Sequence, residues 1–156
     1  MPLRLTATCP DPLEDAVPKQ SPIPNELDTP FYTAANEERL VLQYCMTDDR
    51  WQYPPEPACS ECGSADKLEW REVSGEGTVY SYAVIHDTPI VTLQADQPYN
   101  CAVVQLNECP GILFLSHLPG TPVDAVVIGS PVELTFETTP ATGQKVPEWR
   151  SVTRAQ

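Results

Sequence analysis

The clearest alternation along the chain lies near its C-terminal end. There IGSPVELTFE sets Val132, Leu134 and Phe136 on one side and Glu133, Thr135 and Glu137 on the other. A period of two belongs to a strand with one face in a core and the other in water. Upstream, EVSGEGTVYSYAVIH turns at Gly75-Glu76-Gly77 and continues as a β-branched and aromatic run, which predicts a strand ending near His86. NCAVVQL and ILFLSHL predict two more strands, joined through NECPG with Pro110 and Gly111 at the turn. KVPEWRSV adds a last short strand, with Trp149 as a lid on the barrel end. Four or five strands after residue 70 fit a small closed barrel, which leaves no long sheet edge exposed.

A helical period occurs in DTPFYTAANEERLVLQYC. Asp28 or Thr29 suits the cap, Pro30 the first turn, and Phe31, Ala34 or Ala35 and Leu40 share a face, so a short helix is expected to end near Leu40. From Leu42 to Trp70 the chain reads as two short hairpins facing each other, joined by YPPEP, whose prolines suit no helix interior. Residues 1–27 are Pro-rich without apolar period and are expected to form an extended arm.

Composition narrows the function. Eighteen prolines against seven glycines describe short segments with stiff connections, a mostly β protein. A formal charge of −13 excludes nucleic acid and anionic membrane surfaces as partners, since both recruit Lys and Arg. No apolar stretch approaches the roughly 20 residues that span a bilayer. The first segment, MPLRLTATCPDPLEDAVPKQ, has no apolar core of a signal peptide, so a cytoplasmic, reducing location is expected. In that setting six cysteines suggest metal binding or buried thiols before disulfides, with Cys9 a free thiol in the arm.

The candidate chemistry is concentrated in QYCMTDDRWQYPPEPACSECGS. A zinc ribbon sets two ligand pairs on two tight knuckles, and here the pairs are Cys45 with Asp48 and Cys59 with Cys62. The spacing is that of a zinc site with one thiolate replaced by a carboxylate. Two readings stand: zinc held by Cys45, Cys59 and Cys62 with Asp48 or water as fourth ligand, or a metal-free knuckle held by packing of Trp51, Tyr53 and Trp70.

Elsewhere no self-sufficient catalytic set is found. There is no G-x-S-x-G elbow, Cys101 and Cys109 have no nearby cation to activate them, and Gly75-Glu76-Gly77 is a turn rather than a phosphate loop. His86, beside Asp87, and His117, in an alternating apolar strand, read as structural or surface residues. The connection DTPIVTLQADQPY is longer than two adjacent strands need. Long loops on rigid barrels are often functional, so Asp87, Ile90, Val91, Leu93 and Tyr99 are the expected contact residues, the alternative being a floppy surface loop.

Taken in order, PFYTAANEERLVLQYC, PPEPACSECGS, LEWREVSGEGTVYSYAVIH, CAVVQLNECPGILFLSHL, IGSPVELTFE and VPEWR resemble the DUF35 family over about residues 29–151. The resemblance implies an N-terminal helix and zinc-ribbon-like module over residues 28–70, followed by a five-stranded OB-fold barrel over 71–156. Asp48 stands where the family pattern has a cysteine. It also implies a non-catalytic accessory subunit of a thiolase-superfamily enzyme that makes or breaks C–C bonds in acyl-CoA, as in steroid side-chain breakdown, assembled as a heterotetramer. The partner would supply the nucleophilic cysteine and histidines and most of the acyl-CoA contacts, because this chain has few cations to meet CoA phosphates. The competing expectations are a stand-alone acyl-CoA binding module and an OB-fold nucleic-acid binder stacking bases on Tyr80, Tyr82 and Trp70, the latter opposed by the charge.

Overall fold

The computed structural model describes residues 20–152. Most of the expected arm, and Cys9 with it, lies outside the described residues. The helix α1 spans Thr29–Asn36, with Pro30 in its first turn and Phe31, Ala34 and Ala35 buried. It stops short of the expected Leu40. Glu38 takes a left-handed φ of 60° and the Arg39 amide turns back to the Ala34 carbonyl, so the chain leaves the helix before Leu40 opens a strand. Asp28 occupies the cap position, but its carboxylate accepts from the Asn25 amide at 2.6 Å rather than from the helix.

Three short strands follow: β1 (Leu40–Cys45), β2 (Arg50–Gln52) and β3 (Leu68–Val73), in the antiparallel order β2-β1-β3. Only β1 and β2 form the tight hairpin expected at the first knuckle. The second knuckle is a loop, and β3 then pairs along the other edge of β1, with Gln43 opposite Trp70. Two facing hairpins are therefore replaced by one hairpin and a returning strand.

A second sheet has five strands: β4 (Gly77–Ile85), β5 (Tyr99–Leu106), β6 (Leu113–Ser116), β7 (Pro131–Thr138) and β8 (Lys145–Ser151), ordered β6-β5-β4-β7-β8. A bulge in β4 between Val79 and Ser81 bends it, so that it follows β5 over its length and meets β7 only through Gly77 and Thr78. Asn100, Ala102, Val104 and Leu106 of β5 all point inward. The two outer strands nearly close the barrel through side chains: Ser116 Oγ donates to Glu148 Oε2 at 2.5 Å and accepts from the Trp149 amide at 3.0 Å.

Trp149 is not a lid. It is fully buried, its ring 5.0 Å from that of Phe114, and its indole N–H donates to the Gly75 carbonyl at 2.7 Å. That bond ties the barrel to the turn that connects the two sheets. Gly75 must be glycine there, since its φ is +73° and an added Cβ would sit 2.7 Å from Leu134 Cδ2. A row of rings, Phe31, Tyr53 and Phe114, continues the contact, with Tyr53 5.6 Å from Phe31 and 4.1 Å from Phe114. Helix, ribbon and barrel thus share one aromatic core. No helix among the described residues is long and apolar enough to cross a membrane.

Candidate metal centre and the barrel cavity

The β1–β2 hairpin carries Cys45 at the end of β1 and Asp48 in the turn, where Asp49 adopts a left-handed φ of 52°. The second knuckle is closed by two backbone bonds, Cys59 N to Ser64 O at 3.0 Å and Gly63 N to Cys59 O at 2.9 Å. Gly63 supplies the left-handed φ of 70° that lets the chain reverse after Cys62.

What brings the two knuckles together is a pair of buried glutamines that the sequence reading missed. Gln43 and Gln52 face each other across β1 and β2, and Gln52 Nε2 donates to Gln43 Oε1 at 3.1 Å. Gln43 holds both backbone groups of Glu56, while Gln52 donates to Ala58 O and accepts from the Ser60 amide at 2.8 Å. The YPPEP connection and the second knuckle are pinned to the first in this way.

Donor atoms from Cys45, Asp48, Cys59 and Cys62 all lie within 4.8 Å of one another. Cys45 Sγ is 3.7 Å from Cys62 Sγ and 3.6 Å from Asp48 Oδ2, while Cys59 Sγ is 3.0 Å from Asp48 Oδ2. A tetrahedral zinc ion with Zn–S bonds of about 2.3 Å needs S–S edges of about 3.8 Å and S–O edges of about 3.5 Å. Two edges match, and the third is shortened because the Cys59 thiol donates to the carboxylate. The donor set therefore fits zinc, and all four residues of the sequence prediction are brought together. Protonation follows the same geometry. Hydrogen bonds from Cys62 and Cys59 hold the Asp48 carboxyl below the usual carboxylate range, and the bond to Asp48 pushes the Cys62 thiol up to about 12. Cys45 moves down: burial opposes its thiolate, but amide hydrogen bonds from Asp48 and Thr47 and the neighbouring thiols outweigh that. Trp51 and Trp70 are only half-buried; Trp51 packs edge-on to Tyr44 at 5.0 Å, and Tyr53 turns away to the barrel rings.

The connection between β4 and β5 is braced. It contains a 3-10 helix, Val91–Asp96, and folds on the buried Thr88, whose amide donates to Gln97 Oε1 at 2.6 Å and whose carbonyl accepts from Gln94 at 3.2 Å. Ile90 and Val91 are 53% and 77% exposed at its tip, and Asp87 is exposed at its base. Leu93 and Tyr99 instead turn inward to a cavity of about 750 Å³, and Tyr99 is already the first residue of β5, opposite Ile85. The five predicted contact residues therefore divide between an exposed tip and a cavity wall.

The same cavity holds a group that the sequence reading did not find. His117 lies just beyond β6 rather than inside an apolar strand, partly exposed, 3.3 Å from Glu137 and 3.3 Å from Glu148. His86 is exposed after the end of β4. Cys109 is buried, and burial first, then Glu108, raises its thiol to about 12, which removes it as a nucleophile.

Comparison with known proteins places this arrangement. Family models for the ChsH2 rubredoxin-like zinc ribbon domain and the ChsH2 C-terminal OB-fold domain match residues 33–69 and 70–137. A stretch of 104 residues is 38% identical to a Thermomonospora curvata protein called "Probable enoyl-CoA hydratase alpha subunit", covering 67% of this chain but 31% of that protein. The chain thus spans about a third of that relative. A DUF35 domain-containing scaffold protein of Methanothermobacter thermautotrophicus is 34% identical over 97 residues, 62% of this chain and 71% of the relative. Its counterpart in Methanocaldococcus jannaschii is 28% identical over 100 residues, 60% and 69%. Among solved structures, a chain of one described as an "Ltp2-ChsH2(DUF35) aldolase" superposes with a TM-score of 0.72 at 33% identity, over 84% of this chain and 98% of that one. A DUF35 protein of unknown function from Sulfolobus solfataricus shares the fold, with a TM-score of 0.54 at 20% identity over 70% and 78% of the two chains.

Proposed function

The chain belongs to the DUF35 family, and from that membership we propose that it is a non-catalytic subunit that binds and completes a thiolase-like enzyme making or breaking C–C bonds in acyl-CoA. The observation that carries this reading is the likeness, over 98% of its length, to a chain of an aldolase whose description pairs ChsH2 with Ltp2. The surface supports it. Ile90 and Val91 form an exposed apolar tip on a braced loop, and the outer barrel face adds Tyr80, Leu113 and Leu115. In this reading Asp87, Ile90 and Val91 meet the partner, the arm adds to the contact, and Leu93 and Tyr99 shape the cavity behind it. The complex is a heterotetramer, two of each chain.

Acyl-CoA is bound mainly by the partner. The one roomy cavity wall formed by the loop carries Asp96, Glu137 and Glu148, which repel phosphates. Cys45, Asp48, Cys59 and Cys62 would hold a zinc ion whose contribution is structural, fastening the two knuckles.

The test is affinity purification of the full chain from its own cells, with assay of the eluate for acyl-CoA cleavage and condensation. Recovery of a stoichiometric thiolase-superfamily enzyme whose activity collapses when this chain is stripped away supports the proposal. A chain recovered alone that binds acyl-CoA tightly by calorimetry would make it the stand-alone binding module instead.

A further inference from the structure

The second cluster of metal-type side chains is built by barrel closure. Glu148 lies opposite Thr135 on the β7–β8 ladder and Glu137 opposite Val146, so the two carboxylates are diagonal neighbours on one face. His117 reaches them from the end of β6, across the seam, with Nε2 3.3 Å from Glu137 Oε2 and Nδ1 3.3 Å from Glu148 Oε1. One donor atom from each of the three lies within 4.8 Å of the others. Glu148 is held in place: its Oε2 accepts from Ser116 Oγ at 2.5 Å and from the His117 amide at 3.1 Å, which turns Oε1 toward the imidazole.

Two carboxylates on one face of an acidic barrel repel each other, and a protonated His117 bridging them would be one way to offset this. The cavity argues for more. Asn100 lines it, is 3% exposed, donates to the Thr121 carbonyl at 2.9 Å, and has no partner for its Oδ1 among the described residues. A buried acceptor without a donor costs about 1–3 kcal/mol, and such atoms in native proteins mark a water, ion or ligand. Asn100, Glu137 and Glu148 all offer acceptors to one space of about 750 Å³, so the species that satisfies them brings positive charge and donors. A hydrated divalent cation supplies both.

We propose that His117, Glu137 and Glu148 bind a divalent first-row transition-metal ion beside the barrel cavity, with Asn100 Oδ1 accepting from a water on that ion. One imidazole and two carboxylates are a nitrogen and oxygen donor set, suited to Mn²⁺, Fe²⁺, Co²⁺ or Zn²⁺, whereas the thiolate-rich knuckles select zinc. Three protein ligands leave open positions toward the cavity. The site is separate from the ribbon and independent of the accessory-subunit reading.

The test is a Mn²⁺ titration of the full zinc-loaded chain followed by amide NMR, because Mn²⁺ competes poorly for thiolates. Saturable one-site broadening at His117, Leu118, Glu137 and Asn100, with Cys45 and Cys59 unaffected, is expected. Glu137→Gln should weaken it by at least about tenfold, as loss of a direct ligand does no less than loss of an outer-shell partner. Should Glu137→Gln lose its dispersed spectrum, His117→Gln takes its place; Glu148 is left intact because it also fastens Ser116. Broadening spread along the acidic surface, broadening equal in the variants, or no saturation would each overturn the proposal and leave His117 as a charged bridge.

Discussion

The knuckle cluster and the β6–β8 cluster are both sets of metal-type side chains, yet they are assembled in opposite ways. In the ribbon, all four donors fall between residues 45 and 62, and local turns with left-handed residues at Asp49 and Gly63 aim them. In the barrel, His117, Glu137 and Glu148 come from the ends or middles of three strands, two of them at opposite edges of the sheet. The first cluster needs only its own hairpin, its loop and the two glutamines between them. The second exists only while the barrel is shut, because Ser116 bridges the seam to Glu148 and Trp149. A loosened barrel should therefore lose its cluster while the ribbon keeps its own.

The largest effect expected is at Trp149. Truncating a fully buried tryptophan to alanine costs about 3–5 kcal/mol, here through the lost contact with Phe114 and the orphaned Gly75 carbonyl. Trp149→Ala should lower the urea midpoint accordingly and, in amide exchange, open β6 and β8 more than β1 and β2. Equal opening of both sheets would show that the shared ring row couples them into one unit, and the contrast between the clusters would fall.

That contrast also explains what the sequence made legible. Knuckle spacing and the alternation of β5 and β7 are local signals, so the ribbon, the five barrel strands and their order along the chain could be read directly. The end of α1 could not, because it turns on Glu38 in a left-handed conformation where no glycine marks the stop. Gln43 and Gln52 look like ordinary polar strand residues. Their burial follows from the proline-rich connection folding over them, and only the matched register of β1 and β2 reveals the pair. His117 looked like part of an apolar strand since its carboxylate partners arrive from strands that pattern alone cannot place against it. Trp149 as lid failed for a similar reason: its partner, Gly75, lies on the far side of the chain in sequence.

Gln52→Ala should be the sharpest local probe of the ribbon. It removes the donor to Gln43 Oε1 and Ala58 O and the acceptor for the Ser60 amide, leaving buried groups unpaired at a cost of about 2 kcal/mol. Exchange protection should fall at Ser60 and Glu56, and zinc should be lost to chelator faster, with β5 and β6 amides unchanged. Protection lost equally in the barrel would contradict the independence of the two regions.

The smallest effect lies where the regions touch. Tyr53 packs between Phe31 and Phe114, and burial first, then the charges of Tyr32 and Asp28, raises its hydroxyl pKa from 10.0 to about 12. Its folded pKa is higher than its unfolded one, so the neutral phenol's stabilisation is complete below pH 10 and is lost as pH rises toward 12. At pH 11, midway through that window, the loss amounts to about 1 kcal/mol. Tyr53→Phe has no proton to lose there, so its stability should decline less than that of the parent between pH 9 and 11 in urea titrations. Cys109, raised by burial inside the barrel, begins its own alkaline loss lower and is common to both proteins, so it cancels in the difference. If the parent and Tyr53→Phe lose stability in parallel, the ring is not buried at the joint, and the ribbon and barrel are held together by the Gly75 turn and α1 rather than by the row of rings.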